Sequence, residues 1–310
     1  YLLGRSYPKN IGSAPYQVLL WDQGRAIKVP VTGDDAVAHD ISTTGTAVGQ
    51  SWRAGSSVAW VYRDGVVSAL PGGGPGTAYA VNEAGTIVGS IGTGPGSERP
   101  VRWASATSQP VALPMPADAV SGEARGIAED GTVVGTVRVG TNHVERPYTW
   151  SPSGAGAFLP LPAIGGVAAG AGRAFSLRGD WAVGITETTG AGKPDQPSSA
   201  SAGAPDQTGA AKSPSRATRW NLRTGEVTTF DQFLVRASDV TGNGWQIGTD
   251  QQGRAFLLAD PATVPLQDLE LHRPRELTNI PTTVSDDARI IAGQADDAAG
   301  VIHAVRWTCG

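Results

Sequence analysis

Cysteine is all but missing from this chain. The only one is Cys309, so no internal disulfide can staple the fold. Basic clusters are missing too: Lys and Arg are scattered singly and the net charge is −4, so no stripe follows a phosphate backbone and nucleic acid is excluded as a partner. Long hydrophobic runs are absent. None approaches the eighteen or so residues of a membrane span, and no long segment carries a helical period. The chain lacks an initiating Met, which reads as removal of a leader or a trimmed start, and the scarcity of cysteine fits a cytoplasmic protein or a disulfide-free exported one.

Gly (42) and Pro (22) are abundant instead, charged residues are sparse, and aliphatic residues fall in short runs, the composition of many short strands and turns. These runs repeat. A strand, a turn closed by Gly and a second strand closed by Gly recur at 40–49 (DISTTGTAVG), 81–89 (VNEAGTIVG), 127–135 (IAEDGTVVG), 175–184 (FSLRGDWAVG), 240–248 (VTGNGWQIG) and 284–293 (VSDDARIIAG). The copies at Gly184 and Gly293 need one extra residue, read as a strand bulge. Residues 1–6 (YLLGRS) match a second strand alone. Third strands end at Trp21, Trp60, Trp103, Trp150, Trp220, Leu258 and Trp307, and fourth strands follow all but the last.

The marker glycines, at 4, 49, 89, 135, 184, 248 and 293, are spaced as four short strands with tight turns require, which is the period of a propeller blade. One blade has two apolar faces and covers neither alone, whereas consecutive blades cover each other. The expected fold is all-β, a single β-propeller domain over 1–310 built of four-stranded antiparallel blades. Seven blades are favoured and six are possible, because a first strand before Tyr1 and a fourth after Trp307 are missing, and pairing of the N- and C-terminal segments is one route to closure. The longest spacing contains 190–215, a low-complexity Gly/Ala/Ser/Pro stretch without large apolar residues, read as a flexible surface loop inserted within one blade.

Gly at the turn's end supplies positive φ, so Ala288 in its place predicts a differently shaped turn. The second Gly of each copy permits close approach between blades, or a bulge. Trp recurring once per copy reads as packing between blades rather than as a row of sugar platforms. The exceptions are the ligand-stacking candidates: Trp52 outside the register, and Trp181 and Trp245 where other copies have Thr46, Thr86 and Thr132. The loops between second and third strands vary most and open on one face of a propeller. Their Arg53, Arg99 and Arg146 are candidates for contact with a polar or acidic ligand.

The pattern of an apolar strand, N-x-x-G, V-V-G, then A-F-x-W and G-x-x-x-x-L resembles the HAF-type extracellular repeat, a family found in exported bacterial proteins. Residues 81–89 fit its N-x-x-G-x-x-V-G core, and 303–307 (HAVRW) and 254–258 (RAFLL) sit where the family has its name triplet. The resemblance covers nearly the whole chain outside 190–215. It implies a propeller-like β fold and a secreted or extracytoplasmic location, and it brings no shared catalytic residues.

Signatures of chemistry are thin. His39 and Asp40 lie near Asp34 and Asp35, but there is no ordered D-x-D-x-D-G loop and no H-x-x-x-H pair, so no metal site and no cofactor are expected. No G-x-S-x-G elbow occurs, Cys309 has no neighbouring His, His272 and His303 have no partner at diagnostic spacing, and the glycines at 72–74 lack the Lys of a phosphate cradle. No catalytic residue is assigned. The expected function is an exported binding or scaffolding module that takes a glycan or protein ligand on loops of one face. The alternative is a propeller hydrolase or lyase acting on polysaccharide or a small molecule, with carboxylates or His39 and His143 near the axial opening.

Overall fold

The computed structural model describes residues 1–6, 17–72, 74–94, 96–188, 215–270 and 278–308. Residues 190–214 of the low-complexity stretch, together with Gly73, His272 and Cys309, lie outside the described residues, whereas Ser215 already belongs to a strand. Among the described residues there is no helix, and so none long and apolar enough to cross a membrane. The fold is an all-β propeller with seven blade sheets, antiparallel throughout and in simple meander order.

Blade 1 comprises Leu2–Ser6, Gln17–Asp22 and Arg25–Lys28, the equivalents of a second, third and fourth strand. Blade 2 runs through Asp35–Ile41, Ala47–Arg53, Ser56–Arg63 and Val66–Ala69. Blade 3 is Gly76–Val81, Ile87–Ile91, Arg99–Trp103 and Val111–Ala112, and blade 4 is Ala119–Ile127, Val133–Val139, Val144–Trp150 and Gly156–Phe158. A two-stranded hairpin, Ala163–Ile164 and Val167–Ala168, which the repeat did not announce, precedes blade 5. Blade 5 is Ala171–Arg178, Trp181–Glu187, Ser215–Asn221 and Val227–Phe230, and blade 6 is Phe233–Val240, Gln246–Asp250, Ala255–Ala259 and Ala262–Pro265. Blade 7 has three strands, Asn279–Val284, Ile290–Asp296 and Ile302–Thr308. Leu2–Ser6 and Ile302–Thr308 belong to separate sheets.

The chain groups into two compact units, residues 1–139 with 149–157 and residues 140–148 with 158–310. A repeat fold permits such a division because each blade packs on its neighbours alone. In the first unit Val48, Val61 and Leu70 of blade 2 bury Ile87, Val101 and Trp103 of blade 3. In the second, Val183, Ala217 and Phe230 of blade 5 cover Val240, Phe256 and Leu258 of blade 6.

The marker glycine has one physical cause. In six blades the first strand carries a bulge opposite it, with register shifts at Ala38/Asp40, Ala78/Ala80, Ala124/Gly126, Ala174/Ser176, Ala237/Asp239 and Pro281/Thr283. The bulge pushes a first-strand carbonyl against the second strand. A Cβ at Gly89 would lie 2.0 Å from the Thr77 oxygen, and at Gly135 or Gly184 1.9 Å from the oxygens of Glu123 and Arg173. At Gly4, where blade 1 has no first strand, the obstacle is only the Trp21 ring.

Two sequence expectations need correction here. The extra residue assigned to the copies at Gly184 and Gly293 is not a bulge peculiar to them. Leu177 pairs with Ala182 around a two-residue hairpin, so that copy is the short one, whereas in blade 7 the additional residue sits in the turn, where Ser285 N–H reaches Ile290 O. Ala288 nonetheless takes the left-handed conformation of the glycine it replaces, at φ 56°, and donates to Ser285 O as Gly85 does to Asn82 O. The second correction concerns Trp60. Gly89 pairs with Val101, two residues before Trp103, but Gly49 pairs with Trp60 itself, so the residue in the Trp place of blade 2 is Tyr62.

Candidate functional site

Each bulge leaves one residue of the first strand out of the ladder and aims it differently from its neighbours. In chain order these are His39, Tyr79, Arg125, Phe175, Ser238 and Thr282. In the first unit three successive ones form a stacked array. The His39 and Tyr79 rings lie 5.1 Å apart at 54°, and the Arg125 guanidinium stands 4.0 Å over the Tyr79 ring. Glu123, two residues before Arg125 on the same strand, braces that guanidinium, accepting from Nε at 2.7 Å and from Nη2 at 2.5 Å.

The array continues into the loops. Glu98, in the connection between second and third strands of blade 3, accepts from Arg138 Nη1 at 3.4 Å, and Arg138 reaches Ser121 Oγ at the same distance. Beside Tyr79, the Thr77 hydroxyl donates to Gln50 Oε1 of blade 2. Burial, and after it the Arg125 charge, push the His39 imidazole down to about 3, so it is neutral, and its Nε2 has no hydrogen-bond partner among the described residues. Burial raises the Tyr79 phenol above its ordinary value, against a smaller lowering by Arg125. The half-buried array therefore offers a neutral imidazole, a protonated phenol and a paired guanidinium. It is equipped to stack and to donate hydrogen bonds. It has no group poised near neutrality to exchange a proton.

The sequence-predicted residues separate. Trp52 and Arg53 end the second strand of blade 2, beside the turn at Ala54 and Gly55, while Trp181 begins the second strand of blade 5 and Trp245 immediately precedes that of blade 6, at the opposite end of a blade. Trp181 is covered. Gly244 of blade 6 leaves no space for a Cβ above its ring, 2.7 Å from Cε2, and the Arg219 guanidinium lies 4.6 Å from its centroid. Trp245 packs with Val284, Ala288 and Ile291 of blade 7. Arg53 donates to Thr32 O and to the Thr32 hydroxyl, and Arg99 donates to Val120 O of blade 4, both remaining exposed. Arg146 stacks 4.8 Å over Phe158.

Of the acidic residues near His39, Asp40 accepts from the backbone N–H groups of Ile41 and of Val81 in blade 3, and Asp239 does the same for Val284. These carboxylates tie one first strand to the next. Asp34 and Asp35 accept from Ala54 and Ala36 N–H. His143 lies in an exposed turn at φ 52°, and His303 contacts Asp297 at 2.9 Å. Sequence reading missed Tyr79, Glu98, Glu123 and Arg125. The available signal was the small residues flanking the bulge, in AHD, AYA and ARG at 38–40, 78–80 and 124–126, each ten residues before a marker Gly and each enclosing a different side chain.

No protein-family model and no curated protein sequence matches the chain. Among solved structures it is similar to TolB from Acinetobacter baumannii, at 13% identity and a TM-score of 0.50, over 81% of this chain and 60% of that one. It is also similar to a chain of a nidogen/laminin complex, at 13% identity and a TM-score of 0.46 over 80% and 89%. A prolyl endopeptidase follows at 12% and 0.48 over 82% and 37%. The chain thus spans about three fifths of TolB and a little over a third of the peptidase. At these identities the likeness is one of fold, and the fold is the β-propeller.

Proposed function

We propose that this chain is an exported binding module of the HAF-repeat kind, which takes a polar ligand, a glycan or a protein surface, on the bulge array and the loops that continue from it. The observation that carries this reading is the stack of His39, Tyr79 and Arg125 from three consecutive bulges, with Glu98 and Arg138 linking it to the loop that bears Arg99. An aromatic face beside a braced guanidinium suits sugar hydroxyls and carboxylates, or the side chains of a protein surface. Trp52, Arg53 and Arg99, at the strand ends and loops of blades 2 and 3, are the further contacts this reading assigns to the ligand.

The enzyme reading keeps one observation in its favour, the convergence of His39, Tyr79, Arg125 and Glu123. Against it stand their protonation states. An imidazole held near 3 is a weak base and no acid at neutral pH, and Glu123 is engaged by Arg125.

A glycan array and a surface-protein pull-down with the full chain test the proposal, using Tyr79→Ala, Arg125→Ala and Trp52→Ala. Loss of about tenfold or more in affinity for Tyr79→Ala and Arg125→Ala is expected. Ligand capture that neither variant weakens would place recognition elsewhere.

A further inference from the structure

The array of His39, Tyr79 and Arg125 is rich in charge, yet its charges are balanced. Two cations and two carboxylates are matched one to one. Arg125 donates to Glu123 through Nε at 2.7 Å and through Nη2 at 2.5 Å, and Arg138 donates to Glu98 through Nη1 at 3.4 Å. The side chains of Arg125, Glu123, Arg138 and Glu98 are only 16%, 8%, 15% and 23% exposed, so solvent screens them weakly. The groups around them carry no charge. They are the neutral His39 imidazole, the Tyr79 ring, the Thr77 hydroxyl that donates to Gln50 Oε1, and the Ser121 hydroxyl that accepts from Arg138.

Such a balance selects among ligands. A carboxylate or sulfate placed against Arg125 or Arg138 also faces Glu123 or Glu98, and an ammonium placed against either carboxylate also faces its arginine. Either ion gives up hydration and finds its counterion already engaged. A hydroxyl escapes that penalty. It donates and accepts at once, and each pair sets a carboxylate that accepts beside a guanidinium that donates. The exposed arginines nearby leave the balance in place, because Arg53 lies against Thr32 on the connector that carries Asp34 and Asp35, and Arg99 donates to Val120 O, two residues beyond Asp118.

We infer that the ligand of this array is an uncharged sugar rather than an acidic or an amino sugar. The inference rests on the binding role proposed for the array and narrows it to one class of ligand. A pyranose carries C–H faces between its hydroxyls, and the array carries an aromatic ring between acceptor–donor pairs. The C–H face lies along Tyr79, and hydroxyls meet the carboxylate and guanidinium of a pair together. A protein surface fits less well, because the polar side chains it exposes are largely Lys, Arg, Asp and Glu, which meet the same penalty as a charged sugar.

Glycan-array binding by the full chain, at about 50 and about 500 mM sodium chloride, gives the test. Three sets are compared: neutral oligosaccharides, oligosaccharides bearing uronic acid or sulfate, and chitosan oligosaccharides with free amines. Neutral sugars are expected to bind with an affinity that salt changes by less than about twofold, and acidic and amino counterparts at least about tenfold more weakly. Removing one member of a pair tips the preference. Glu98→Gln leaves one positive charge in excess and raises acidic over neutral binding by about tenfold at low salt, an advantage lost at high salt. Arg138→Gln raises amino over neutral binding by about as much, and the urea midpoint of each variant shows whether it is folded. A wild-type preference for acidic or amino sugars, or neutral-sugar binding that salt weakens by about tenfold, overturns the inference. If Tyr79→Ala abolishes that binding, the array remains the binding site and only the ligand class is wrong. Folded Glu98→Gln and Arg138→Gln proteins that keep the wild-type preference also overturn it. Failure of all three sets to bind overturns the inference and the glycan reading together.

Discussion

Blades 2 and 3 follow one plan down to the bulge opposite the marker glycine, and they part at the side chain that closes each against its predecessor. Blade 3 places Trp103 where its indole meets Pro71 O. Blade 2 places Tyr62 there and moves its tryptophan opposite Gly49, leaving a donor unpaired and a recess beside it. Backbone geometry is thus held fixed along the repeat, while the side chains that seal one blade to the next vary with little change in the ladders.

What the two blades share is tested first, and it carries the largest effect. Gly49→Ala and Gly89→Ala should each cost about 3–5 kcal/mol in urea unfolding, because the new Cβ lies 2.1 Å from Val37 O or 2.0 Å from Thr77 O, and backbone cannot yield cheaply. Gly4→Ala in blade 1 meets only the Trp21 ring at 2.9 Å and should cost about 1 kcal/mol. Equal losses at all three positions would separate the glycine from the bulge.

The bulge residue itself distinguishes the blades by pH. His39 has a folded-state value pushed to about 3, below the 6.5 of an unfolded chain, so protons bind preferentially to the unfolded state. Its neutral form is fully compatible with folding above pH 6.5, and stability falls as the pH drops from 6.5 towards 3. Between pH 7.5 and 4.5 the loss from this group should be about 2 kcal/mol, discounted for partial exposure, and His39→Gln should remove it. Tyr79 in the same place of blade 3 does not titrate in that range. Identical acid sensitivity in the His39→Gln protein would assign the effect to carboxylates.

The seal gives the third comparison. Trp103→Phe strands the Pro71 carbonyl and should destabilise by about 1–3 kcal/mol beyond the loss of ring contact. Trp60→Phe removes a donor that has no partner and should cost about 1 kcal/mol less than Trp103→Phe in thermal unfolding. Equal costs would mean that Trp60 is hydrogen-bonded in solution, as a resident ligand or water would make it.

The repeat was legible because a bulge, a tight turn and a close approach each demand a residue type that recurs, so Gly49, Gly89 and Gly135 announce themselves without any contact being known. The candidate site was hidden by the same logic. The bulge residue leaves the ladder, so nothing in the backbone constrains its type, and His39, Tyr79 and Arg125 share no letter. The shift of Trp60 was hidden because a Trp two residues out of place still reads as a Trp at the end of an apolar strand. Only the pairing of Gly49 with Trp60 exposes it. Conversely Trp181 and Trp245 stand out in the sequence, yet their deviation from Thr is met by packing against the next blade, under Gly244 in one case and beside Ala288 in the other.

A quieter departure lies in blade 6. Two residues before the marker glycine, blades 2, 3, 4, 5 and 7 have Ala47, Ile87, Val133, Ala182 and Ile291, whereas blade 6 has Gln246. Gln246 is fully buried, and neither amide atom has a hydrogen-bond partner among the described residues. A desolvated amide without partners opposes folding by about 1–3 kcal/mol, and an aliphatic side chain of similar volume removes that cost. Gln246→Leu should therefore raise stability by about 1–2 kcal/mol, read as a higher urea midpoint at unchanged slope. A stabilised variant makes blade 6 conform to blade 3. A destabilised one would show that the amide holds a buried water, and that this polar substitution is a place where the repeat departs from its own pattern to keep a water in the core.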